Sequence, residues 1–280
     1  MPETDPDRSL SVAEEREALI GAARLAGEVA LQFFRQQSLQ VWSKTDRSPV
    51  SEADLKANQV LQEALLHGAR EDYGWLSEES ADDPARLKRD RLIIVDPIDG
   101  TRAFIKGDAR FTICLAIVEA GCALASVVYA PALEELYAAG RGLGAELNGK
   151  PIKVSPAQDL SGTRMVGLKR MFDDPRWPQP WPPMAISYTN STSLRLANVA
   201  SGAQDAMIAL ARKADWDAAP GSLLVEEAGG RATDHLGRPL LFGQADPHQS
   251  SLVGTTHALY PQVIERLAHL PGDLSALHRR

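Results

Sequence analysis

The chain has 280 residues, 44% hydrophobic and 24% charged, with a formal net charge of −7. That length admits one large domain or two closely packed halves around a substantial core, while the acidic balance excludes a nucleic-acid polymer as partner and leaves room only for a local basic pocket. No stretch approaches the roughly 18 apolar residues of a membrane span, and residues 1–8 are polar rather than signal-like, so the expectation is a cytoplasmic protein with no membrane contact. Cys114 and Cys122 share one apolar region without CxxC spacing and are expected to be reduced core residues.

Residues 1–10 are expected to form a loose tail. Ser11-Val12-Ala13-Glu14 spells a capping box and predicts a helix to about Gln37, with Leu19, Ala22, Ala23, Ala26, Ala30, Phe33 and Phe34 as its apolar stripe. Residues 42–50 are expected as a polar loop, and a second helix opens at Ser51. Asp54 in its first turn is either half of a capping box with Ser51 or an acid aimed at a metal site. Trp75-Leu76-Ser77 predicts a short strand ending in Glu78 and Glu79. Paired acids there read as a solvated loop, unless residues 81–91 return the chain so that Glu78 meets the next strand end.

That next strand is Leu92-Ile93-Ile94-Val95, an unbroken apolar run that predicts burial on both faces. It leads into Asp96-Pro97-Ile98-Asp99-Gly100-Thr101. The aspartates either cap a turn or form a buried, mutually repelling pair that a hard cation neutralises, Mg²⁺ first. Residues 111–137 read as an antiparallel meander, with strands at 111–118, 123–129 and 133–138, and Asn148-Gly149 marks a hairpin. The glycines at 140, 142, 144 and 149 carry no following Lys-Ser/Thr, which excludes a nucleotide P-loop.

A change of character after Ser155-Pro156 divides the chain into an α+β half at 1–155 and an α/β half at 156–280. The second half is expected to hold an irregular, surface-facing proline- and tryptophan-rich loop at 172–184. A helix is expected at 192–201 and a strand at 205–210. A further helix opens at Asp215-Trp216-Asp217 and stops at Gly229-Gly230, followed by a strand at 251–254 and a helix at 259–270. Asp217 at a helix start has N-capping as its ordinary role, and Trp216 is most simply a core anchor. The histidines show no HxH or HExxH spacing and C-x5-R is absent. Neither histidine nor phosphocysteine catalysis is therefore expected, and a carboxylate-only metal site remains.

Three ordered stretches resemble the inositol monophosphatase superfamily of metal-dependent, lithium-sensitive phosphomonoesterases. They are Ser77-Glu78-Glu79-Ser80, Asp96-Pro97-Ile98-Asp99-Gly100-Thr101, and Trp216-Asp217-Ala218-Ala219-Pro220-Gly221 leading to Glu227-Ala228-Gly229-Gly230. The resemblance implies an αβαβα layered sandwich, assembled as a homodimer. It implies that Glu78, Asp96 and the Ile98 carbonyl hold one Mg²⁺, that Asp96, Asp99 and Asp217 hold a second, and that Glu78 helps with a third. Gly100 and Thr101 would bind phosphate through backbone N–H groups, and Thr101 with Asp54 would orient and deprotonate the attacking water.

On the substrate, Asp99-Gly100-Thr101-Arg102-Ala103-Phe104-Ile105-Lys106-Gly107 is similar to the 3′(2′),5′-bisphosphate nucleotidase branch. The substrate contacts implied are Asp99, Gly100, Thr101, Ser191, Arg212 and Lys213. Leu210-Ala211-Arg212-Lys213 stands where inositol enzymes tend to carry an acid, and basic groups there suit a second phosphate; otherwise they are surface charges. Asn190-Ser191-Thr192-Ser193 and Pro220 depart from the family pattern. The alternatives are an inositol-1-phosphate, histidinol-phosphate or sugar-phosphate phosphatase and, from another class, a catalytically silent metal-binding regulatory protein.

Overall fold

The structure, a computed structural model, describes residues 10–45 and 48–274, so all but the last residue of the expected tail at 1–10 lies outside the described residues. The chain runs α1 (Val12–Phe33), β1 (Val41–Ser43), β2 (Pro49–Ser51), α2 (Glu52–Leu65), β3 (Gly74–Ser77), β4 (Arg91–Asp99), α3 (Thr101–Ile105), β5 (Thr112–Glu119), β6 (Cys122–Ala130), β7 (Glu135–Gly140), β8 (Gly144–Leu147) and β9 (Lys150–Pro151). It continues through β10 (Arg164–Val166), α4 (Lys169–Phe172), β11 (Ala185–Ser187), α5 (Thr192–Ala200), β12 (Ala206–Ala209), β13 (Lys213–Ala214), α6 (Asp215–Glu227), β14 (Gly230–Thr233), β15 (His248–Gln249), β16 (Leu252–Thr256) and α7 (Tyr260–Leu267).

Helix α1 starts at the expected capping box, with Ser11 N donating to Glu14 at 2.8 Å. It stops short of Gln37 because Arg35 takes φ +64°, a left-handed conformation through which no right-handed helix continues. The expected loop at 42–50 is instead a hairpin, β1 and β2 pairing Val41 with Ser51 and Ser43 with Pro49. Strand β1 is exposed along its whole length, so it carries no apolar alternation to announce it.

The first sheet has seven strands in the order β3-β4-β5-β6-β7-β8-β9, with β3 parallel to β4 and the rest antiparallel. The expected meander is present, but its third strand begins at Glu135 because Pro131–Leu133 form one 3₁₀ turn. Both faces are buried, as the apolar run at 92–95 requires. Ile93, Val95, Ile113, Leu115 and Ile117 face a core shared with α1 and α2, whereas Leu92, Ile94, Cys114, Ala116 and Val118 face a core shared with α5 and α6. Cys122 departs from expectation: it opens β6 beside a turn and is exposed, whereas Cys114 is buried.

Beyond α5 and α6 lies a five-stranded sheet in the order β11-β10-β12-β16-β14. Its outer face packs on α7 through Met165, Ile208, Val253, Leu259, Val263 and Leu267. The layers therefore run α1/α2, sheet, α5/α6, sheet, α7: the expected αβαβα sandwich. Strands β10, β11 and β14 are three or four residues long, too short for a periodic signal. Residues 173–184 hold no helix or strand. They are not simply surface-facing, however, because Trp181 packs edge-on to Phe172 at 5.3 Å and to Trp177 at 5.5 Å. No described helix is long and apolar enough to cross a membrane.

Candidate metal centre

Strand β4 carries the site at its C-terminal end. By alternation Asp96 falls on the same face as Ile94, toward α6. A regular strand would send Asp99, three residues on, to the opposite face. The pairing with β5 prevents this, because Asp96 lies opposite Cys114 while Asp99 lies opposite Thr112. Three steps on β4 thus match two on β5, which is a β-bulge. The extra residue brings both carboxylates to the α6 side.

Helix α6 completes the cluster. Asp96, Asp99 and Asp217 each place a carboxylate oxygen within 4.8 Å of the others. Ala214 is the N-cap of α6, so Asp217 is not the cap its position suggested and is free to face β4. Pro220 removes the helix bond to the Trp216 carbonyl, while Ser193 Oγ donates to the Asp217 carbonyl at 2.9 Å. Helices α5 and α6 approach closely: a Cβ on Gly221 would stand 2.6 Å from Leu196 Cβ.

The electrostatics fit a cation. Asp96 is pushed well above the usual carboxylate range by burial first and then by Glu78, Asp99 and Asp217. Asp217 is pushed up to about 7, by burial and then by Asp99. Asp99 is raised by burial even though Ser193 N and Ser191 Oγ donate to it at 2.8 and 2.7 Å. Repelling carboxylates without enough hydrogen bonds or counter-charge are what a metal ion stabilises, and an all-oxygen donor set suits a hard one.

Beside the cluster, Asp54 meets both of its expected descriptions. One oxygen accepts from Ser51 N and Oγ at 2.9 and 2.6 Å, closing the capping box, and the other accepts from Thr101 Oγ1 at 3.1 Å. Burial pushes Asp54 up to about 6 against these bonds. Thr101 Oγ1 is also 3.1 Å from the Ile98 carbonyl, so its one proton has two acceptors. Gly100, at φ +96°, caps α3 in a conformation that a side chain rarely adopts.

Glu78 stands apart from the three aspartates. The β3–β4 pairing does bring its strand end to Asp96, with Glu78 N donating to the Val95 carbonyl at 3.2 Å. Its carboxylate, however, binds Lys44 at 2.7 Å, as does Glu79. Lys44, on the β1–β2 hairpin, had no motif to mark it; burial works against its charge, but the two glutamates outweigh that and raise it.

The implied substrate contacts Arg212, Ser191 and Lys213 are placed differently. Arg212 is exposed and pairs with Asp246 at the surface. Ser191 is fully buried, donates to Asp99 and accepts from Leu194 N as the cap of α5, so its hydroxyl holds Asp99 in place. Lys213 does face the cluster, 3.9 Å from Asp217 and 3.1 Å from Thr192 Oγ1.

Sequence patterns also passed over Arg86 and Asp215. Buried Asp215 accepts from Gly243 N and Gln249 Nε2, both at 2.7 Å. Buried Arg86, between the strands that carry Glu78 and Asp96, donates to the carbonyls of Gly243 and Gln244 at 2.9 and 3.0 Å. Through that loop the start of α6 is tied to the β3–β4 edge. The doublet Asp215-x-Asp217 was visible in the chain; its partner thirty residues downstream was not.

A phosphoesterase is the class that such a fold and carboxylate cluster define. Residues 11–270 match the inositol monophosphatase family, and the chain belongs to that family as a phosphoric monoester hydrolase. It is 35% identical to an inositol-1-monophosphatase of Rhizobium meliloti, over 80% of this chain and 88% of that one. It is 34% identical to a histidinol-phosphatase of Chlorobaculum parvum, over 77% and 84%. The crystal structure of extragenic suppressor protein suhB from Bartonella henselae superimposes with a TM-score of 0.79 at 28% identity, covering 90% and 98%.

Proposed function

We propose that the chain hydrolyses a small phosphate monoester with Mg²⁺, and that Asp96, Asp99 and Asp217, with Glu78 and the Ile98 carbonyl, hold two or three ions. The observation that carries this is the meeting of three carboxylates within 4.8 Å of one another. Divalent ions bound there would supply neutralisation of phosphate charge and an acidified water. The chain's own groups do the rest. Thr101 orients the attacking water through Oγ1 and passes a proton to Asp54, whose raised affinity for protons suits a general base. The N–H groups of Gly100 and Thr101 would meet phosphate oxygens; α3 has only five residues, so individual hydrogen bonds rather than a helix dipole do this work. Residues 1–155 would supply most of the ligands and residues 156–280 Asp217, in a homodimer for which the family relationship is the support.

For the leaving group, a 3′(2′),5′-bisphosphate nucleotide is supported by Lys213, which faces the cluster, more than by Arg212, which pairs with Asp246. The buried, apolar side chain of Leu210 carries no acceptor for inositol hydroxyls. Histidinol phosphate is the second substrate to consider, favoured by the name of the Chlorobaculum relative. The test is phosphate release with Mg²⁺ from adenosine 3′,5′-bisphosphate, histidinol phosphate and inositol 1-phosphate. Preference for the nucleotide is expected, and preference for inositol phosphate would overturn that order. Asp96→Asn should abolish release; near-normal turnover would sink the metal assignment.

A further inference from the structure

Tyr188, three residues before Ser191, is 46% exposed. One face of it is not free: the Arg195 guanidinium carbon lies 4.2 Å from the ring centroid, well inside cation–π range. Arg195 is itself only 4% exposed and is fixed by donation to the carbonyls of Thr189 and Asn190 at 2.6 and 3.1 Å. The tyrosine therefore rests on a buried, immobilised cation and presents the remainder of its ring to solvent. Little rotamer entropy is left for a ligand to remove.

The backbone that carries the ring leads directly to the aspartate cluster. Ser191, three positions on, donates to Asp99 at 2.7 Å, and its backbone nitrogen lies 3.4 Å from where a Cβ of Gly100 would be. Three residues of chain span at most about 10 Å, which is the reach of a small phosphate ester. An open aromatic face recognises planar π-systems, stacked offset or edge-on; a polyol ring has no such face to offer.

We propose that Tyr188 is a specificity-determining platform that stacks a planar heterocycle of the leaving group. The preferred substrates are then phosphate monoesters whose alcohol carries a nucleobase or an imidazole, ahead of polyol phosphates. This rests on the phosphatase function proposed above and narrows its substrate class.

The test compares wild type, Tyr188→Ala and Tyr188→Phe on adenosine 2′-monophosphate, histidinol phosphate and glycerol 2-phosphate, with Mg²⁺. In Tyr188→Ala the kcat/KM ratio of the ring-bearing ester over glycerol phosphate should fall about tenfold, through KM, while Tyr188→Phe keeps the ratio within about twofold. Which ester shows the fall separates nucleobase from imidazole. An unchanged ratio in Tyr188→Ala, or equal losses on all three esters, overturns the platform. Should wild type release phosphate from none of them, the phosphatase function fails, and calorimetric binding of adenosine and of imidazole still decides the platform: weaker binding to Tyr188→Ala supports it, equal binding refutes it.

Discussion

Strand β4 has buried charge at both ends, and the two ends are treated in opposite ways. At its start, fully buried Glu15 accepts from Arg70 at 2.6 Å, Tyr73 at 2.6 Å and Arg91 at 2.8 Å, and Arg91 reaches on to Glu119 at 2.8 Å. Every charge has a partner there, and the cluster fastens α1 to the sheet. At the far end, Asp96, Asp99 and Asp217 converge with Lys213 and Arg195 as their nearby cations, and all three hold their protons more tightly than usual. Compensated buried charge is architecture; uncompensated buried charge is a demand for a ligand.

Substitutions should therefore act oppositely at the two ends. The largest effect is on rate: Asp96→Asn should lower kcat/KM by about a thousandfold or more, while the metal-free protein keeps or gains thermal stability because one repelling charge is gone. A large fall in Tm would mean that Asp96 belongs with the structural cluster. Glu15→Gln should do the reverse. It takes the carboxylate from Arg70 and leaves Arg91 with Glu119 alone, at a cost of about 3 kcal/mol and a Tm lower by roughly 10 °C, with kcat preserved in the folded fraction.

Metal addition sharpens the contrast. Carboxylates raised in the folded state stabilise it at low pH and are lost as stabilisers when pH rises through their folded values, about 7 for Asp217. The metal-free protein should then lose stability between pH 5 and 8. Mg²⁺ at about a hundred times its Kd should restore about 2.7 kcal/mol, with a larger Tm increase at pH 8 than at pH 5, where protons compete. Equal increases at the two pH values would place binding outside the aspartate cluster. The smallest effect is expected of Gly221→Ala. Its Cβ would press Leu196 at 2.6 Å, costing about 1–3 kcal/mol and weakening Mg²⁺ binding by shifting Asp217; an unchanged metal affinity would show that α6 yields without moving its first turn.

The sequence made the layers legible because β4 and β5 alternate between two apolar faces, and α1 carries its stripe and its cap. The aspartates stood out for their chemistry. What the sequence did not show was orientation. Nothing local distinguishes Arg212, which turns to Asp246, from Lys213, which turns to Asp217. Lys44 reaches Glu78 only because a hairpin folds over the strand end, and its exposed first strand leaves no hydrophobic trace. Nor does anything local show that the Ser191 hydroxyl, implied as a substrate contact, is buried against Asp99.

The bulge in β4 has a consequence of its own. A strand has parity: each residue counted flips the side, and one added residue restores it. The distance in sequence between Asp96 and Asp99 is odd, and the bulge makes it behave as even. Straightening the bulge without losing a residue would send Asp99 to the opposite core, so the odd spacing and the bulge have to be kept together. The site at this strand end thus depends on spacing as much as on residue identity.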